Sequence, residues 1–63
     1  MLDDAAERVY DYICRYHTEW QRPALIDEIV EDLSLTPRQV MQVLALLEAA
    51  GRIRPGSTLP MRR

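Results

Sequence analysis

At 63 residues, with 8 basic side chains against 10 acidic ones and a net charge of −2, the chain is read as a single small domain, residues 1–63. A domain of this size buries only about 60% of the surface its unfolded form exposes. One cysteine excludes an internal disulfide, and one Cys with one His excludes an ordinary zinc site of about four ligands. No apolar run approaches the roughly 18–20 residues of a membrane span, and the acidic start "MLDDAAERVY" has no apolar signal core, so a cytoplasmic protein off the membrane is expected.

The net charge conceals an asymmetry. Residues 1–36 hold three Arg against nine Asp and Glu, a net of −6, whereas residues 37–63 hold five Arg against one Glu, a net of +4. A polyanionic partner responds to a local basic patch more than to net charge, so the second half is the candidate surface. Every basic residue is Arg. That suits bidentate recognition of phosphate and guanine, and is equally what codon bias in a GC-rich genome produces.

The first helix is expected at about 4–17. Asp4 and Glu7 fit a capping box, and Leu2, Ala6, Val9, Ile13, Tyr16 and Trp20 recur at spacings of three and four along one face. Asp4–Arg8 and Asp11–Arg15 are i,i+4 pairs of opposite charge. The polar connection "TEWQRP" ends in Pro23, a residue suited to a first helical turn, and a second helix follows at about 24–33. Its Leu25, Ile26, Ile29, Val30 and Leu33 are placed inward and Asp27, Glu28, Glu31 and Asp32 outward.

After the short turn "SLT", a third helix is expected at about 37–50 with the clearest start signal in the chain. Thr36 is its N-cap, Pro37 its first residue and Gln39 the closing residue of a capping box. Val40, Val43, Leu44 and Leu47 form its buried stripe, and Gly51 ends it with a left-handed cap. The tail changes character. Arg52-Ile53-Arg54 alternates, Pro55-Gly56-Ser57-Thr58 is turn chemistry, and Leu59 and Met61 are apolar again, which reads as a small two-stranded wing at about 52–62 with Pro60 on an edge. The fold class is mostly α with a small β-hairpin.

This order of elements resembles the winged helix-turn-helix superfamily. The phrase "DEIVEDLSLTPRQVMQVLALLEAAGRIR" is similar to its recurring pattern at Glu28, Ile29, Leu33, Leu46, Leu47, Glu48, Gly51 and Ile53. Within it, "RPALIDEI" resembles the amino-terminal domains of LexA-type repressors, and "IDEI…LLEAAGRI…G" resembles the carboxy-terminal winged domain of DprA-type DNA-processing proteins. The wing "GSTLPMRR" is similar to that of Z-nucleic-acid-binding domains at Thr58 and Pro60. Leu59 and Arg62 depart from that family's proline and tryptophan, and Met41 and Ala45 stand where it has asparagine and tyrosine, so Z-form recognition is not implied.

The superfamily resemblance implies a third helix whose exposed face enters the major groove. Arg38, Gln42, Ala45 and Ala49 point away from the buried stripe at about 100° per residue. Arg can bridge guanine and Gln can bridge adenine, so Arg38, Gln39 and Gln42 are candidate base-reading residues. Arg52, Arg54, Ser57, Thr58 and Arg62 are candidate phosphate contacts on the wing. The competing reading is a winged domain for protein interaction or dimerisation without direct DNA contact, with Tyr12, Met41 and Leu46 as exposed apolar candidates. The aromatic residues at helical spacing read first as packing, Cys14 as a small buried apolar group, and His17 as a complement to the helix dipole. No catalytic constellation, Gly-rich phosphate loop or cofactor site is present, so a non-enzymatic binding module is expected, with double-stranded DNA as partner and a homodimer or partner protein as the alternative.

Overall fold

The computed structural model describes residues 4–61. Three helices follow in order: α1 (Asp4–Trp20), α2 (Ile26–Leu33) and α3 (Pro37–Ala49). On α1, Ala6, Val9, Ile13 and Tyr16 are buried along one face, as their spacing requires, and Asp4 and Glu7 lie in the first turn. The helix runs past His17 to Trp20. The Thr18 hydroxyl donates to the Cys14 carbonyl, and the chain leaves the helix at Gln21, whose φ of 56° is left-handed and whose N–H reaches the His17 carbonyl at 2.8 Å. Leu2 lies outside the described residues.

The second helix starts later than expected. Pro23 and Ala24 precede it, and the N-cap is Leu25, in an extended conformation with φ −83° and ψ 149°. Leucine has no capping oxygen, so the cap is one-sided: Glu28 Oε1 accepts the Leu25 N–H at 3.0 Å. This position turns the Leu25 side chain out to 60% exposure, against the inward orientation expected from periodicity. Ile29 is the buried residue of α2, whereas Val30 and Leu33 are half-buried. Leu33 is excluded from the sealed interior because it is the last residue of a short helix, with its carbonyl facing Arg8 Nη2 at 3.4 Å. Arg8 thus serves the end of α2, while Asp11–Arg15 forms the expected ion pair.

Ser34 turns the chain between α2 and α3 in the left-handed region, φ 55°, and the Leu35 N–H closes the end of α2 on the Val30 carbonyl at 3.1 Å. The start of α3 is as the sequence dictates. Thr36 Oγ1 accepts the Gln39 N–H at 3.1 Å and Gln39 Oε1 accepts the Thr36 N–H at 2.9 Å, with Pro37 in the first position. Two bonds end it: Gly51 N–H to the Glu48 carbonyl at 3.0 Å and Arg52 N–H to the Leu47 carbonyl at 2.9 Å. This is a Schellman closure, and Gly51 supplies its φ of 72° without a Cβ penalty.

Both α1 and α2 pack on α3. Val9, Ile13, Ile29, Val40, Leu44, Leu47 and Ile53 form the expected core, joined by Ala6, Tyr16, Ala24 and Val43. Among the described residues no polar or charged residue is buried, and no buried side-chain polar atom lacks a partner. Cys14 is only half-buried, and Trp20, the last residue of α1, is 57% exposed.

The expected two-stranded wing is not formed among the described residues. A single antiparallel bridge joins Ile53 to Pro60, flanked by Arg54 N–H to the Leu59 carbonyl at 3.0 Å and Met61 N–H to the Arg52 carbonyl at 2.9 Å. In this register Pro60 sits at a non-hydrogen-bonded position, so its missing N–H costs no ladder bond. The ladder stops there for a local reason. The Leu59 N–H is diverted to Ser57 Oγ at 3.0 Å, and the Arg54 carbonyl accepts from Ser57 N–H at 3.2 Å in a turn across Pro55 and Gly56. Gly56, with φ 70°, occupies the turn position that demands a left-handed residue.

Candidate nucleic-acid interface

The capping box on Thr36 fixes where α3 begins and therefore which side chains its first turns present. With Val40, Val43, Leu44 and Leu47 turned into the core, Arg38, Gln42, Ala45 and Ala49 are exposed on the opposite side. The two alanines leave the helix backbone open to close approach. Gln39 is exposed too, but its carbonyl oxygen is held by the Thr36 N–H. Its geometry is that of a cap, with only the amide NH2 left for another partner.

The wing is held against α3 by its own contacts. Glu48 Oε2 accepts the Gly56 N–H at 3.2 Å, tying the turn to the last turns of α3. The Thr58 hydroxyl donates to the Ala24 carbonyl at 2.6 Å, tying the wing to the α1–α2 connection. Ile53, 1% exposed, anchors the wing in the core. Of the wing cations, Arg54 is exposed, whereas Arg52 lies with its guanidinium carbon 5.1 Å above the Tyr10 ring. Ser57 and Thr58 are half-buried and bonded inward rather than raised at a tip. Arg62 lies outside the described residues.

The candidate interface is thus a helix face with Arg38 at one end and Arg54 beyond the other, with Gln42 and small residues between. The carboxylates nearest it are Glu48, which is engaged by the wing backbone, and Asp27, which lines the adjoining cleft with Met41 and Ala45. Two of the four acids of α2 are engaged with α1: Asp32 Oδ2 accepts from the Tyr12 hydroxyl at 2.6 Å, and the two Glu28 oxygens lie 2.7 and 2.9 Å from the Tyr16 hydroxyl. The Leu25 N–H, then the Tyr16 hydroxyl, hold the Glu28 carboxyl below its ordinary range, while burial and these carboxylates push both phenols up. No group of His, Cys, Asp and Glu among the described residues is placed to hold a metal ion, and no helix is long and apolar enough to cross a membrane.

Three packed helices, a tight turn into a capped third helix and a wing folded against it match one family pattern: the DprA winged helix domain, over residues 2–57. The chain belongs to this family. The match spans all three helices and reaches the wing turn at Ser57. Of the family flavours that the sequence resembles, it is the DprA one that is found. No curated protein and no solved structure matches the chain.

In this DprA winged helix domain the three apolar partner candidates do not form one patch. Tyr12 is half-buried on α1 and bonded to Asp32. Met41 and Leu46, 56% and 48% exposed, lie on opposite flanks of α3. Met41 instead lines a mostly apolar cleft of about 700 Å³ with Leu25, Leu44, Ala45 and the wing turn. Sequence reasoning missed this cleft because it depends on Leu25 turning outward. It also missed Glu48 as the residue that positions the wing. A carboxylate eight residues before the glycine of a Pro-Gly turn carries no local signal.

Proposed function

We propose that this DprA winged helix domain is a non-catalytic module that binds duplex DNA, with the exposed face of α3 in the major groove and the wing against flanking phosphates. The observation that carries this reading is the face of α3 itself. Arg38, Gln42, Ala45 and Ala49 share it, no acid stands among them, and Arg38 lies in the first turn, where base edges are met in helix-turn-helix docking. Arg52 and Arg54 supply sequence-blind affinity, and Arg38 and Gln42 supply base choice. The family favours a DNA-processing setting over a transcriptional one, and a cytoplasmic location accords with both.

The test is an amide NMR titration with random duplex at about 50 mM salt, where basic contacts are strongest. Shifts are expected along α3 and at Arg52 to Gly56. Arg54→Ala is expected to weaken binding alike on all sequences and to reduce the salt slope by about one, while Arg38→Ala narrows the gap between preferred and random DNA. A folded protein with no duplex shifts refutes the reading. A second reading, docking of a protein or a second copy without DNA contact, is favoured by the exposed Leu25 and Met41 in the apolar cleft beside α3. It expects Met41→Asp to abolish association and leave duplex titrations silent in every variant.

A further inference from the structure

On one edge of α1, Tyr12, Tyr16 and Trp20 follow one another at four-residue intervals and form a continuous aromatic ladder. The Tyr12 and Tyr16 ring centroids are 5.9 Å apart at an interplanar angle of 29°, and those of Tyr16 and Trp20 are 6.3 Å apart at 41°. Facing the ladder, α2 presents Glu28 and Asp32, also one turn apart, and each carboxylate takes a hydrogen bond from one phenol. These residues and Glu19 line an open cleft of about 440 Å³.

Something already sits on this ladder. The guanidinium carbon of Arg22, from the connection between α1 and α2, lies 5.2 Å above the centre of the Tyr16 ring. Arg22 is itself exposed, so no packing confines it there. The cleft's other cation, Arg15, is paired with Asp11. The lining therefore offers Glu19, Glu28 and Asp32 against Arg22 alone, a surplus of two negative charges that becomes three whenever Arg22 swings out.

We propose that this cleft is a docking site for an arginine-bearing segment of a partner protein, whose guanidinium displaces Arg22 from the Tyr16 ring. The chemistry fits arginine better than lysine, because a weakly hydrated planar cation stacks on a ring and meets a carboxylate through two N–H groups at once. The spacing fits two arginines. Side chains at i and i+2 of an extended strand lie about 7 Å apart, close to the roughly 6 Å between residues one turn apart on a helix. An Arg-x-Arg segment thus places one guanidinium on Tyr16 beside Glu28 and the other near Tyr12 beside Asp32. Arg22 is the resident competitor, and its displacement sets the affinity. A DNA strand is excluded from this face by the same carboxylates that attract the peptide.

The experiment is titration of the intact protein with the blocked peptide Gly-Arg-Gly-Arg-Gly, read by fluorescence of Trp20, the single tryptophan, and by the Tyr12 and Tyr16 ring resonances. Saturable changes are expected in the wild-type protein. Arg22→Ala should tighten binding about fivefold, and Asp32→Asn should weaken it about tenfold, an effect the size of one charge-assisted bond. Both positions are exposed, so both variants stay folded, and a melting curve recorded beside each titration separates loss of the Tyr12 hydrogen bond or of the Arg22 stacking from loss of binding. The same peptide with citrulline for arginine should leave the rings unchanged. Equal responses to the citrulline peptide, or an affinity indifferent to Arg22→Ala, overturn the proposal. So does silence of all three rings at millimolar arginine peptide. Asp32→Asn leaves duplex titration untouched, so a failure here is distinct from a failure of the DNA reading.

Discussion

Thr36→Ala removes the oxygen that starts α3. In the wild-type protein Thr36 Oγ1 takes the Gln39 N–H at 3.1 Å, and the reciprocal bond from Thr36 N–H to Gln39 Oε1 is 2.9 Å. Loss of an N-cap oxygen costs about 0.5–2 kcal/mol. Thr36 and Gln39 are both exposed, so water reaches the released N–H, and this places the cost near the middle, at about 1 kcal/mol. For a domain of this size that corresponds to a fall in Tm of about 4–8 °C. Far-UV circular dichroism during heating reads the shift, and urea melts should give a lower midpoint with unchanged slope. Thr36→Ser, which keeps the oxygen, should melt within about 2 °C of the wild type, a few tenths of a kcal/mol on the same scale. If Thr36→Ala melts with the parent, or if the serine variant falls as far as the alanine one, the cap does not set the start of α3. The placement of Arg38 on its exposed first turn then loses its basis.

Ser34→Gly should raise stability by about 0.5 kcal/mol, because a left-handed non-glycine residue costs about 1–2 kcal/mol and glycine's added chain entropy returns part of it; an unchanged or lower Tm would count against strain at that turn. Leu47→Ala, at a fully buried position where α3 meets the core, should cost about 2–5 kcal/mol, a large share of the stability of so small a domain, and a variant melting as cooperatively and as high as the parent would displace Leu47 from the centre of the core. The pH limbs follow from the paired groups on α1 and α2. The Leu25 N–H, then the Tyr16 hydroxyl, lower the Glu28 pKa in the fold, so its contribution is complete above the ordinary value of 4.5 and lost as pH falls through the folded value; Glu28→Gln should flatten the acid limb of stability, and an identical limb in both proteins would remove Glu28 from it. Tyr12 and Tyr16 are raised, chiefly by burial, so their contribution is complete below the ordinary value of 10.0 and lost as pH rises beyond it; Tyr12→Phe should reduce the alkaline loss seen in denaturant melts.

The helices were legible wherever a signal was local. Thr36, Pro37, Gln39 and Gly51 announce both ends of α3 by their own chemistry, and the stripe from Val40 to Leu47 is buried as its period demands. The start of α2 was not legible in the same way. Pro23 suits a first helical turn, but Ala24 is drawn into the core and Leu25 is left as an extended cap, held by Glu28 from within the helix. The wing was legible as a turn and not as a ladder, because the competition between Ser57 Oγ and the Arg54 carbonyl for the Leu59 N–H is decided by geometry that alternation does not encode. Of the candidate interface, exposure on α3 could be counted from helical period. The commitments of Thr58 to Ala24 and of Arg52 to Tyr10 could not, since each partner lies far away in sequence, whereas that of Gln39 to the cap is written in its three-residue spacing from Thr36. In the sequence the aromatic and acidic residues of α1 and α2 stand apart, as packing and as solvated charge, and only their juxtaposition makes a cleft.

The double tether of the wing, from Gly56 to Glu48 and from Thr58 to Ala24, has a bearing on how a duplex would be read. A wing free to swing adjusts to whatever lies beneath it. One fastened at two points to two other elements behaves as a caliper with a set gap between its jaws, α3 on one side and Arg54 on the other. On the proposed DNA reading the nucleic acid must then supply the adjustment, and sequences that widen or narrow their grooves at little elastic cost are favoured even where no side chain touches a base. Cutting one tether, as Thr58→Val does, should relax that preference for shape while leaving the contacts of Arg38 and Gln42 in place.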